Sequence, residues 1–223
     1  MSVLSALQDR FSARAFTAQE PDARRVAQLL ELAALAPSGG NLQPWRVIAL
    51  RGAPLAELVQ AVEAGAPDED GATLSYPPNL WEPYRSRRYE NGEDLYRSLG
   101  IGREDKPARL RQLARNASFF GAPVGIFICV DRRMGPAQWV DLGAYMQSLL
   151  LLAAEQGLAT CAQGFWRRYQ AVLRPRLALQ GEDEIVAFGI ALGHADMDAP
   201  INQWRSSRAP ASEWLQLRGF EAD

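Results

Sequence analysis

The chain has 223 residues, 24 basic and 26 acidic side chains, a formal net charge of −2, and 48% hydrophobic residues. That is enough for one domain with a real core, and the matched charges argue against a general nucleic-acid binder. A single histidine and two cysteines argue against a structural zinc site, and no apolar run approaches the length of a membrane span.

An amphipathic segment, Val3 to Leu7, leads into Arg10-Phe11-Ser12-Ala13-Arg14. In extended backbone Arg10, Ser12 and Arg14 share one side. Two guanidinium forks and a hydroxyl on one face suit a phosphate, although any one of these arginines alone reads as a solvated surface residue. Val26, Leu29, Leu30, Ala33, Ala34 and Ala36 then recur at helical spacing, which predicts a helix from about Asp22 to Ala36. Pro37 stops it, and Val47 to Leu50 reads as a short strand. Between them lie Pro37, Ser38, Gly39, Gly40, Asn41, Leu42 and Gln43. Such a loop lets a flat, polar-edged ligand approach the backbone, which a plain connection does not require.

A helix is expected from about Leu55 to Ala64. From about 66 to 107 the composition changes: Pro67, Pro77, Pro78 and Pro83 sit among Trp81, Tyr84, Tyr89 and Tyr96, with Arg85, Arg87 and Arg88 in the same region. Too few aliphatics are present for a separate core, so the stretch reads as an inserted lid. Arg109 to Phe120 reads as helix, and Val124 to Val130 as a buried strand containing Cys129. Asp141 to Gly157 is the strongest helix; Leu149 to Ala154 is apolar on nearly every face, which places it in the core or at an interface.

Gly157 to Phe165 is rich in small residues and reads either as a surface for a ligand ring or as a helix cap entering a short strand. Cys161 is placed there in a short polar turn. Ile185 to Leu192 predicts another strand, and His194 a solvated turn residue. Arg205-Ser206-Ser207-Arg208 offers a second pair of forks within a tail whose Trp204, Trp214 and Phe220 suggest that it lies across another surface. The alternation of elements predicts one sheet wrapped by helices, α+β or α/β. The chain lacks a Gly-x-Ser-x-Gly elbow, a phosphate P-loop and a Gly-x-Gly-x-x-Gly fingerprint. Its first residues do not read as a secretory leader, so a soluble, cytoplasmic protein is expected.

Taken together and in this order, four segments resemble the flavin-dependent nitroreductase family. They are Arg10-x-Ser12-x-Arg14, the Ala36-Pro-Ser-Gly-Gly-Asn-Leu-Gln-Pro-Trp45 loop, Gly157 to Gly164, and the Arg205/Arg208 tail. Pro83-Tyr84-Arg85-x-Arg87-Arg88, Phe119-Phe120-Gly121-Ala122-Pro123 and Ala191 to Asp196 look nearest to the branch of p-nitrobenzoate-type reductases.

The resemblance implies a single α+β domain over residues 1–223. It also implies a central, mostly antiparallel sheet and an intertwined homodimer with exchanged C-terminal arms, holding FMN at two sites between subunits. Arg10, Ser12, Arg205 and Arg208 would hold the phosphate and ribityl chain. Arg14 would lie at the N1/C2 edge, where a cation stabilises the reduced ring. Pro37, Ser38, Gly39, Asn41 and Gln43 would line the cofactor, the loop being supplied by the partner subunit. Ala162, Gln163 and Gly164 would lie near N5, and Asn116 at the pyrimidine edge. The family often has proline or a similar residue where Cys161-Ala162 stand.

The implied chemistry is alternating: NADH or NADPH passes hydride to the flavin, and a small nitroaromatic then takes its place and is reduced to nitroso and hydroxylamine products. No catalytic side chain and no metal are implied. Trp81, Tyr84, Phe119 and Phe120 (with Tyr89) would form an aromatic wall over the substrate, or equally pack as core. Quinones, enones or halophenols as substrates remain open, as do a flavin sensor or storage protein and a cofactor-free dimerisation domain.

Overall fold

The computed structural model describes residues 2–68 and 75–220. In chain order the elements are α1 (Val3–Asp9), α2 (Ala23–Ala33), β1 (Arg46–Arg51), α3 (Gly52–Ala64), α4 (Tyr84–Ser98) and α5 (Lys106–Ala114). They continue with β2 (Val124–Asp131), α6 (Pro136–Glu155), β3 (Ala159–Gln163), α7 (Gln170–Arg176), β4 (Glu184–Gly193) and α8 (Pro200–Gln203). The strands form one sheet in the order β1-β2-β4-β3, and every neighbouring pair is antiparallel. The fold is α+β.

The core follows from the parity of β2. Val124, Ile126, Ile128 and Val130 pack with Leu29 of α2 and with Leu142 and Leu149 of α6. Phe127 and Cys129, one residue out of step, pack with Leu55 and Leu58 of α3 and Leu173 of α7. Successive side chains of a strand point to opposite faces, so one apolar run fills both sides of the sheet. A shift of register between Ile128 and Cys129 accompanies the pairing with β4.

Trp166 is fully buried and stacks on Phe119 with ring centroids 4.2 Å apart. It lies flat against β4 at Gly189, where a Cβ would come within 2.2 Å of its Cδ1. Glycine at that position is a condition of the indole's placement.

Several expectations are corrected. The segment read as a continuous helix from Arg109 to Phe120 leaves α-geometry after Ala114, and Phe119 and Phe120 take left-handed backbone at φ 50° and 58°. Both rings turn into the core, with exposures of 0% and 3%. The inserted stretch contains the 15-residue helix α4, which has no buried residue and therefore no apolar stripe to reveal it; residues 69–74 of that stretch lie outside the described residues. Helix α6 begins at Pro136, before the expected Asp141. Cys161 stands inside β3 and is buried, not in a polar turn. His194 is half-buried at the end of β4, its carbonyl accepting the Thr17 N–H at 2.9 Å. Among the described residues no helix is long and apolar enough to cross a membrane.

Candidate functional site

The segment after α1 is extended and joined to β3. Ser12 bridges Thr160 in parallel, and the Ala13 N–H donates to the Thr160 carbonyl at 3.0 Å. Asn202, fully buried, ties this segment to the C-terminal part of the chain. Its Oδ1 accepts the Arg14 N–H at 2.9 Å, while its Nδ2 donates to the carbonyls of Ala15 at 2.8 Å and Asp196 at 2.7 Å. With the amide so fully used, residues 10–15 and 202–208 are held side by side. Asn202 and Thr160 were missed by the sequence reading. An isolated asparagine or threonine carries no signal until the fold shows what it joins.

Arg10, Ser12, Arg14, Arg205 and Arg208 thereby line one cleft of about 320 Å³ together with Trp204. The alternation read from the sequence holds: Ala13, between two of them, is fully buried on the other side. The Arg205 guanidinium sits over the Phe11 ring, 3.9 Å from its centroid. Among the described residues Arg205 donates only to the carbonyls of Asn202 and Trp204, and Arg208 only to those of Ser206 and Ser207. Among the described residues no carboxylate pairs with Arg10, Arg14, Arg205 or Arg208. Burial, reinforced by the neighbouring cation of Arg208, pushes the Arg10 guanidinium below its ordinary range. Four cations facing one cleft without a counter-charge make a site that an anion relieves.

Arg14 also lines a second, larger cavity of about 580 Å³. Asn116, Ala162, Gln163 and Gly164 form part of its wall, with Phe120 and Phe165 and, from the inserted stretch, Tyr76, Arg88 and Tyr96. Gln163 is buried, and its side chain bonds Asn116 and Trp166. At Gly164 an added Cβ would meet Ser75 Oγ at 3.6 Å, ordinary contact, so its backbone is not crowded on that side. The thiol of Cys161, in the same wall, is pushed up by burial, with Arg14 and Arg10 opposing.

The remaining expected residues fall elsewhere. The Pro37–Gln43 loop lines neither cleft of its own chain and is largely exposed. It is nevertheless shaped: Gly40, Asn41 and Gln43 adopt positive φ of 58°, 56° and 48°. The Ser38 hydroxyl accepts the Gln43 N–H at 3.0 Å, and Asp141 Oδ1 accepts the Gly39 N–H at 3.2 Å. Trp81 and Tyr84 meet edge to face at 5.7 Å, stay exposed and line neither cleft. The expectation of Phe119 in a substrate wall is corrected, since the ring has no exposed surface and packs between Trp166 and Phe127. Phe120 does reach the larger cavity. Tyr76 and Tyr96 supply aromatic surface there: Tyr96 was noted only as lid composition, and Tyr76 was not singled out.

Fold and site together define an α+β protein with an arginine-lined cleft that shares Arg14 with a broader cavity. The chain belongs to the nitroreductase family, whose sequence profile matches residues 7–194. It is 33% identical over 213 residues to a 4-nitrobenzoate reductase of Pseudomonas putida, covering 95% of this chain and 93% of the relative. It is 36% identical over 212 residues to a nitrobenzene nitroreductase of Ectopseudomonas oleovorans, covering 93% of each. Among solved structures, the FMN and NADPH-dependent nitroreductase NfnB from Sphigopyxis sp. strain HMH superposes with a TM-score of 0.93 at 43% identity, covering 99% of this chain and 100% of that one.

Proposed function

We propose that this protein is an FMN-dependent NAD(P)H oxidoreductase that reduces small nitroaromatic compounds. The observation that carries the reading is the junction at Arg14 of a carboxylate-free arginine cleft with a broad cavity walled by β3. The donor set fits FMN: four guanidiniums and the Ser12 hydroxyl suit a phosphate and a polyol chain, and the cavity beside them has room for a flat ring system. The relatives named above, nitroreductases by name, support the same reading.

Arg10, Ser12, Arg205 and Arg208 would hold the phosphate end, and Arg14 would face the ring edge on which negative charge collects after reduction. Ala162 and Gln163 at the end of β3, with Gly164 just after it, would present backbone to the ring, and Asn116 has one Nδ2 hydrogen to give, the other going to the Leu113 carbonyl at 2.9 Å. FMN, when bound, would supply the two-electron redox chemistry between a reduced nicotinamide and a nitro group. The protein's own residues bind, orient and bias charge; none stands as an acid or base on the path.

We further infer a homodimer. The Pro37–Gln43 loop is shaped like a binding loop yet lines neither of the two clefts described above, so it serves the site of a partner. The chain is read as one domain over 1–223, with Tyr76, Arg88 and Tyr96 of the inserted stretch lining the cavity. Dependence on reduced nicotinamide nucleotide favours a cytoplasmic location. The visible spectrum of the purified protein tests the reading: flavin bands should bleach anaerobically with NADPH or NADH and return on adding a nitroaromatic. Absence of flavin after incubation with FMN overturns it.

A further inference from the structure

Helix α4 carries four arginines, and three of them are matched. Arg85 pairs with Glu82 at 2.7 Å, Arg87 with Glu213 at 2.6 Å, and Arg97 with Asp94. Arg88 differs: among the described residues no carboxylate or carbonyl accepts from it. Its guanidinium lies over the Tyr76 ring, 4.1 Å from the centroid. Arg88 and Tyr96 line both the 580 Å³ cavity and an adjoining one of about 640 Å³ beneath α4. An unpaired surface arginine usually samples many rotamers. Contact with an aromatic face restrains this one while leaving its N–H fork unspent. A held, unspent fork at the shared wall of two cavities matches the paired oxygens of a carboxylate or phosphate.

We propose that Arg88 is a specificity-determining residue that grips an anionic group on the ligand entering the larger cavity. The inference rests on the nitroreductase reading above and adds a preference within it. A ligand bearing a carboxylate or phosphate at that distance gains a charge-assisted pair, and its uncharged analogue gains nothing. Two sources supply such a group in this chemistry: the carboxylate of an acidic nitroaromatic, and the 2′-phosphate that distinguishes NADPH from NADH.

Equilibrium calorimetry without reductant tests this, on wild type, Arg88→Ala, Arg88→Lys and Arg97→Ala, each supplied with FMN and checked for native circular dichroism. The ligand pairs are 4-nitrobenzoate against nitrobenzene, and NADP⁺ against NAD⁺. Arg88→Ala should weaken at least one anionic member about tenfold relative to its counterpart. Arg88→Lys should recover only part of that, because an ammonium keeps charge and loses the planar fork. Arg97→Ala, matched on the surface and lining neither cavity, should change nothing. A selective loss for 4-nitrobenzoate assigns the carboxylate, and one for NADP⁺ assigns the phosphate. Equal loss across both members of each pair, or no loss, overturns the proposal. The flavin spectrum of the same samples keeps the two readings apart. Bound flavin with no Arg88 effect removes only this inference, whereas absent flavin removes the parent reading while the charged-against-uncharged contrast still decides Arg88.

Discussion

Gln163 and Asn116 are joined through a single nitrogen: Gln163 Nε2 donates to the Asn116 carbonyl at 3.0 Å and to its Oδ1 at 3.1 Å. The Gln163 Oε1 in turn accepts the indole N–H of Trp166 at 3.2 Å. One buried amide thus links the cavity wall to the aromatic stack on β4, and its side chain is occupied with protein partners. What β3 presents to a ligand at this point is backbone.

Replacing Gln163 by Leu removes both donors and the acceptor while keeping the volume close. The Trp166 N–H is left buried without a partner and Asn116 loses its anchor, so the fold should lose about 1–3 kcal/mol. Urea unfolding checks this as a lower midpoint at unchanged slope. Faster FMN release from the variant should accompany it, since the Asn116 amide is no longer held in one orientation.

Arg10 and Arg208 face the same cleft without a counter-charge, so in the flavin-free protein they oppose one another. Arg208→Ala should leave the melting temperature of the flavin-free protein equal to or above that of wild type. The same change should lower FMN affinity on the order of tenfold or more, and with it the rise in melting temperature that added FMN produces. A variant that melts earlier without flavin, yet binds FMN normally, would mean that Arg208 is a packing residue.

How much of this was legible in the sequence depends on what kind of signal each element carries. Strands β2 and β4 were found within one residue because buried apolar runs are local signals. The arginine clusters were legible as chemistry, but their meeting depends on Asn202, whose role is purely tertiary. Helix α4 was hidden because a helix without a buried residue has no apolar period to detect. Helix α7 carries Pro175 inside it, a residue that argues against helix in any sequence reading. The backbone at Phe119 and Phe120 was misread as helix, and Phe119 as a wall residue, because adjacent aromatics carry no mark of left-handed geometry.

Asp141, 8% exposed on α6, uses Oδ1 to hold the Gly39 N–H, and its buried Oδ2 has no partner among the described residues. Asp141→Ala should free the Pro37–Gln43 loop at a cost of about 1 kcal/mol and weaken FMN binding. Asp141→Asn, which keeps an acceptor at Oδ1, should retain most of both. Amide exchange at Gly39 is the direct readout: faster in the alanine variant and near wild type in the asparagine one. Equal exchange in both variants would remove Asp141 from the positioning of the loop.

Alkaline pH should act on the core through two buried acids. Burial, chiefly, with Glu184 adding and Arg46 opposing, pushes the Cys129 thiol up to about 12. Burial alone pushes the Tyr145 phenol up to about 12, its hydroxyl donating to the Leu30 carbonyl at 2.9 Å. In the unfolded chain these groups ionise near 9.0 and 10.0. Both folded values are raised, so the stability they support is complete below pH 9 and falls as pH rises towards 12, because the unfolded state sheds its protons first. Each group should contribute a slope approaching about 1 kcal/mol per pH unit within that window. Urea midpoints measured from pH 8 to 11 should therefore decline, and Cys129→Ala should flatten the decline without abolishing it. A slope unchanged by that substitution would mean that the thiol reaches water in the native state, which rapid reaction of the folded protein with a thiol reagent at pH 8 would show independently.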